Sequence, residues 1–205
     1  MTTSFNRWRP HPWHGVNAGR NPPLHLNAYI EITPYDLVKY EIDKNTGYLH
    51  VDRPNRTSSL LPTLYGFIPM TYCGDRVKTL MEGALIGDGD PLDICVISDK
   101  PITHAEILLH VRVIGGLPMI DNGEADDKII AILEKDQVWS QIYEIEDMPR
   151  TYIDQLIHYF STYKDLPGEN STTSVGCIYD STHASKVINA AIKDYSDKFS
   201  KLIAE

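Results

Sequence analysis

The chain has 205 residues and a formal net charge of −9, from 19 Lys and Arg against 28 Asp and Glu. Its 42% hydrophobic and 23% charged residues suit a globular domain that buries roughly 70% of its unfolded surface. They exclude a mainly disordered, collagenous or coiled-coil chain, and no apolar run nears the ~18 residues of a membrane span.

Residues 1–25 are rich in Pro, Asn, His and Arg without a period. They lack the apolar stretch of a secretory signal and are expected to be an N-terminal extension on a single domain spanning residues 1–205. His11 and His14 are three apart, but Pro10 and Pro12 argue against a helix that would bring them together, so a packed loop is expected there rather than a metal site. From 26 to 33, Leu26, Ala28, Ile30 and Ile32 alternate with Asn27, Tyr29, Glu31 and Thr33, the period of a strand. Val38, Tyr40 and Ile42 alternate with Lys39, Glu41 and Asp43, then residues 44–47 turn and 49–53 return as a hairpin partner. Further extended runs are expected at 80–86, 92–98, 107–114 and 129–133, with Gly115, Gly116 and residues 121–123 as punctuation.

The period changes near the end. Across 149–164, Tyr152, Ile153, Leu156, Ile157, Phe160 and Tyr163 follow helical spacing, and Pro167 and Gly168 stop the helix. A polar loop at 168–174 follows. Ser181 or Thr182 is the expected cap of a last helix whose stripe is Val187, Ile188, Ala191, Ile192, Tyr195, Phe199 and Leu202. Strands first and helices last predict an α+β fold, a closed or nearly closed barrel with helices packed on it. Cys73, Cys95 and Cys177 form no paired motif, which speaks against a zinc ribbon or disulfide framework and fits a reducing cytoplasm.

Carboxylates are clustered. Asp88, Asp90 and Asp93 fall within six positions, and Asp121, Glu124, Asp126 and Asp127 within seven, each cluster at the end of an apolar run. Gly87 and Gly89 free the backbone while Pro91 fixes it, which is more control than solvation needs. Hard oxygens in a rigid turn suit Mg²⁺ or Mn²⁺. An EF-hand fails, because Leu92 stands at its fifth position. An aspartyl-phosphate phosphatase matches in part but lacks the alternating strand–helix units. An oligonucleotide-binding barrel needs a basic groove, whereas this charge repels nucleic acid. Lys39 and Glu41, two apart on a strand, share a face, as do Asp126 and Lys128, so cations and carboxylates point the same way. Glu31 is expected to leave the apolar side of its strand.

The run Asp88-Gly89-Asp90-Pro91-Leu92-Asp93 resembles the signature of the soluble inorganic pyrophosphatases of the β-barrel type (family I). The resemblance covers residues 29–164. It extends to Ile30-Glu31-Ile32, to residues 39–43 and 51–53, to Leu64-Tyr65-Gly66-Phe67, to Met119-Ile120-Asp121 with Asp126 and Lys128, and to Tyr163-Lys164-Asp165. It implies a closed five-stranded OB-like barrel with additional strands and two C-terminal helices. The implied activity is hydrolysis of pyrophosphate with Mg²⁺, or Mn²⁺ or another divalent cation, in a homo-oligomer (hexamer or dimer). By position, the resemblance makes Asp90 the catalytic base. It makes Asp88, Asp93, Asp121 and Asp126 metal ligands, with Glu31 and Glu41 as outer or additional ones. Lys39, Arg53, Tyr65, Lys128, Tyr163 and Lys164 would contact phosphate. Leu61 stands where many relatives carry a second tyrosine.

Overall fold

The structure is a computed structural model that describes residues 9–166, 168 and 172–200. Strand β1 (His25–Ile32) is followed by the hairpin β2 (Val38–Ile42) and β3 (Leu49–Pro54), then β4 (Leu64–Phe67) and a short helix α1 (Asp75–Thr79). Next come β5 (Ile86–Gly87), β6 (Asp93–Ile97), β7 (Ile107–Leu117), β8 (Met119–Asp121), β9 (Glu124–Ala125) and β10 (Lys128–Leu133). Helix α2 (Arg150–Thr162), β11 (Thr173–Val175), β12 (Tyr179–Asp180) and α3 (Ser181–Lys198) complete the chain.

Strands pair in the order β1-β4-β6-β10-β7, and β7 pairs again with β1, which closes a five-stranded barrel. The β6–β10 pair is parallel and the others antiparallel, so the barrel is mixed. Closure leaves the barrel no free edge strand. β12 attaches to β7, and β11-β8-β9-β5 form a small outer sheet.

Alternate residues of the barrel strands feed two cores. Ile94, Val96, Ile129 and Ala131 pack with Ala184, Val187, Ile188 and Ala191 of α3. Cys95, Ile97, Ile130 and Ile132 pack with Ile153, Leu156 and Phe160 of α2. Both faces of β6 and β10 are therefore covered, which is why their sequences read as unbroken apolar runs. The expected stripe of α3 is buried at Val187, Ile188, Ala191 and Tyr195, while Leu202 lies outside the described residues, as does Pro167. The His11–His14 loop packs as expected: Trp13 is buried and its indole donates to the Thr71 carbonyl at 2.8 Å. All three cysteines are free.

Several expectations are corrected. Residues 80–86 are not a strand: after α1 the chain turns, and only Ile86–Gly87 is extended. A short apolar run does not choose a conformation by itself, and here Met81 and Ala84 are drawn into a small satellite core with Ala125. Gly115 and Gly116 do not end their strand. β7 continues to Leu117, because a side chain at 116 would strike the Tyr179 ring and glycine is what lets β12 lie against it. The last two residues of the expected polar loop, Thr173 and Ser174, instead begin β11, paired with β8. The cap of α3 is Asp180, whose carboxylate accepts from the His183 amide at 2.7 Å, rather than Ser181 or Thr182. Glu31 does leave the apolar side of its strand, but it stays buried, only 6% exposed, because β1 is covered on both sides.

Candidate active site

One cleft of about 200 Å³ opens at an end of the barrel, beside the hairpin β2–β3 and the C-terminal end of α2. β1 contributes Glu31 to its wall; the hairpin contributes Lys39, Glu41 and Arg53; β4 contributes Tyr65. The loop entering β6 brings Asp88, Asp90 and Asp93. The segment from β8 to β10 brings Asp121, Asp126 and Lys128, and the end of α2 brings Tyr163 and Lys164. Every residue that the sequence nominated for the site therefore lines this one cleft.

Local chemistry explains each placement. Gly89 takes φ +78°, a turn that side chains disfavour, and the Asp90 amide donates to Asp88 Oδ1 at 2.9 Å. The loop is tied down by the Cys73 amide on the Asp90 carbonyl at 2.8 Å and by the Leu92 amide on Thr71 Oγ at 2.9 Å. Tyr163 ends α2 and stacks on Tyr159, which leaves its hydroxyl at the cleft.

The charges are packed tightly. Lys128 is 1% exposed, and its ammonium reaches Asp93 Oδ2 at 2.6 Å and also binds Asp126. The Tyr65 hydroxyl donates to Asp93, and Lys164 pairs with Asp121. Lys39 reaches both Glu41 and Asp52 at 3.3 Å, and Arg53 pairs with Asp52.

Buried carboxylates in this cleft resist ionising. Burial, then the fields of Asp126 and Asp93, push Asp88 up to about 8. Asp126 is raised chiefly by burial, and its carboxyl lies within hydrogen-bonding reach of Asp93. Glu31 is pushed up to about 8 by burial, although its Oε1 accepts from the Ile42 amide at 2.8 Å. Burial would lower Lys128, but Asp126 and Asp93 outweigh it and hold the ammonium well above its ordinary range. Such a group of mutually repelling oxygen donors fits a hard divalent cation. Among the described residues no three acidic, histidine or cysteine side chains close into a finished cage; Lys128 and Lys164 supply positive charge to the carboxylates instead.

Some residues of the site escaped the sequence reading. Lys44, taken only as part of a turn, pairs with Asp90. Asp52 holds Lys39 and Arg53 together. Glu124 and Tyr159 also line the cleft. Only the acidity of residues 121–127 hinted at Glu124; the pairing of Lys44 with Asp90 spans 46 positions and leaves no local signal.

The model of the inorganic pyrophosphatase family matches residues 28–196. The chain belongs to that family. It is 50% identical over 200 residues to an inorganic pyrophosphatase of Chlamydia caviae, covering 92% of each chain. It is 35% identical over 187 residues to soluble inorganic pyrophosphatase 1 of Arabidopsis thaliana, covering 91% of this chain and 81% of the other. The crystal structure of the Thermus thermophilus inorganic pyrophosphatase superposes with a TM-score of 0.77 at 30% identity, over 92% of this chain and 99% of that one. The barrel with its added strands and helices is thus the pyrophosphatase fold, and the reaction is hydrolysis of pyrophosphate to two phosphates. No described helix is long and apolar enough to cross a membrane.

Proposed function

We propose that this cleft carries out the hydrolysis with Asp90 as general base, phosphate held by cationic and phenolic side chains, and Mg²⁺ or a similar dication held by carboxylates. The observation that carries the reading is the convergence of every nominated side chain, drawn from segments spread between residues 31 and 164, on one cleft.

Pyrophosphate bears about three to four negative charges near neutral pH, so bare carboxylates repel it. Asp88, Asp93, Asp121 and Asp126 would hold the cations, with Glu31 and Glu41 behind or beside them. Glu31 suits an outer role, since it is buried and already accepts the Ile42 amide. When bound, such cations neutralise phosphate charge and make water more acidic.

The remaining steps belong to the chain's own residues. Asp90 accepts a proton as water oxygen bonds to one phosphorus and the bridging P–O bond breaks. The departing phosphate carries away the bond's electron pair. Arg53 offers a planar fork to phosphate oxygens. Lys39 and Lys164 add point charges, and Lys128 holds Asp93 and Asp126 in place while facing the same phosphates. The Tyr163 hydroxyl donates to charge that grows in the transition state, and the Tyr65 hydroxyl would do so by turning from Asp93. The chain would act in the cytoplasm as a homo-oligomer, hexamer or dimer. Light scattering tests the second of these assignments.

The decisive test is phosphate release from pyrophosphate before and after exhaustive chelation. Activity should vanish on chelation and return with Mg²⁺; undiminished hydrolysis without metal would refute the scheme. Ca²⁺ is expected to bind and inhibit, because it tolerates looser geometry.

A further inference from the structure

Asp90 is a poor resident of its own loop. It follows a glycine in the left-handed region, its side chain is 35% exposed, and its neighbour Asp88 carries the same charge. Among the described residues of the loop, none bonds its carboxylate. The group that meets it comes from elsewhere: the Lys44 ammonium binds Asp90 Oδ1.

The backbone of Lys44 is held firmly. Asp43 Oδ1 accepts from the Thr46 amide at 2.7 Å, the Thr46 hydroxyl at 2.7 Å and the Asn45 amide at 3.2 Å. The Gly47 amide closes the turn on the Asp43 carbonyl at 2.7 Å. Gly47 lies against the N-terminal loop so closely that a side chain there would come within 2.6 Å of Pro12. That same loop is bonded to the segment that anchors Asp90. The Met70 amide donates to the Trp13 carbonyl at 2.9 Å, Trp13 donates to the Thr71 carbonyl, and Thr71 and Cys73 tie down the Asp90 loop. Lys44 and Asp90 are thus mounted on one rigid block, and their meeting is built into the fold.

We infer that Lys44 is a positioning residue for the hydrolysis: its ammonium holds the Asp90 carboxylate at the cleft wall, ready to accept the proton from water. It acts through Asp90 and touches neither substrate nor the bridging oxygen. The inference rests on the reading of Asp90 as the base. An ammonium in this place also covers one Asp90 oxygen, which favours Asp88 and Asp93 as the cation ligands of the loop and leaves Asp90 for the proton. Its field is strongly acidic, because Glu41 and Asp88 act on Lys44 along with Asp90.

The test is a double-mutant cycle on the intact protein, using Lys44→Met, Asp90→Asn and both together. Lys44→Met should lower kcat about ten-fold, as expected for a slightly misplaced catalytic group, with KM changed less than about two-fold and the melting temperature unchanged. Lys44→Arg, which keeps the charge, should restore most of the lost turnover. In the Asp90→Asn background, Lys44→Met should cost nothing further. Wild-type turnover in Lys44→Met, or the same fold-loss in both backgrounds, would overturn the inference while leaving the base assignment standing. Full activity of Asp90→Asn alone would remove the base assignment and the inference with it.

Discussion

Two sets of buried carboxylates in this molecule are treated in opposite ways. Asp194, on α3, is 6% exposed and receives the Gly74, Arg76 and Val77 amides on Oδ2 at 3.0–3.3 Å, with the Arg76 guanidinium on Oδ1 at 2.7 Å. Asp136 likewise takes the Asp99, Val138 and Trp139 amides at 2.7–2.9 Å. Although burial works against it, these bonds hold its carboxyl below its ordinary range. Asp88 accepts one amide, and burial with the fields of Asp126 and Asp93 outweighs that of Lys128, so it is driven the other way. A carboxylate whose lone pairs are met by the protein is part of the scaffold. Carboxylates left facing one another store unfavourable charge that a ligand cation relieves. The cleft gives up stability that the α1–α3 junction keeps.

The comparison can be broken in three ways, and a fourth, smaller effect lies beside it. The largest effect concerns turnover. Asp90→Asn should reduce kcat by about 10²–10⁴-fold, the usual worth of a general base, with an unchanged unfolding midpoint. A fully active variant would take the base out of the cleft. Next in size, Asp194→Ala should cost about 3 kcal/mol of stability, because three amides and Arg76 lose their acceptor. Urea unfolding measures it, and phosphate release per folded molecule should be preserved. An equal loss of activity would mean that the two sets are not separate in role.

A smaller effect of opposite sign is expected at Asp88. Its raised pKa means that the metal-free fold binds a proton the unfolded chain has released. The penalty is therefore full above about pH 8 and fades as pH falls toward the ordinary carboxylate value. In chelator at pH 8, Asp88→Asn should melt roughly 3 °C higher than the parent while hydrolysis collapses; no gain in melting temperature would contradict the stored-charge picture. The smallest effect lies outside both sets. Burial, then His11, lowers His14 to about 4, so the unfolded chain binds the proton first. The N-terminal loop should lose stability as pH drops from about 6.5 toward 4. Trp13 fluorescence across that range should report the loosening, and His14→Phe should reduce it to the part that partly buried His11 still carries.

Much of the site was legible because its signals are local. The spacing of Asp88, Asp90 and Asp93 around Gly89 and Pro91 is a property of one loop, and the spacing of Lys39 and Glu41 is a property of one strand. Patterning found the hairpin, α2 and α3 for the same reason. Misreadings arose where a distant partner decided the outcome. Gly116 reads as a break until the Tyr179 ring is seen against it. The alternation around Glu31 shows which side it leaves by, but not that it is buried with the Ile42 amide bonded to it from the next strand. Residues 80–86 read as a strand because apolar content alone does not separate a strand from a turn that feeds a side core.

By itself the amino-acid sequence determined which chemistry is available: hard acidic donors in a stiff loop, cations and tyrosines in a set order, and a chain that must bury its β-strands on both faces. Only the tertiary structure decided which charges meet. Barrel closure brings β1, β4 and β6 beside β10, the packing of the β2–β3 hairpin against them places Lys44 on Asp90, and strand pairing within that hairpin sets Asp52 between Lys39 and Arg53. Periodicity reports what one segment does within a few residues, whereas the energy of a charge pair depends on distance in space, and the fold alone sets that distance.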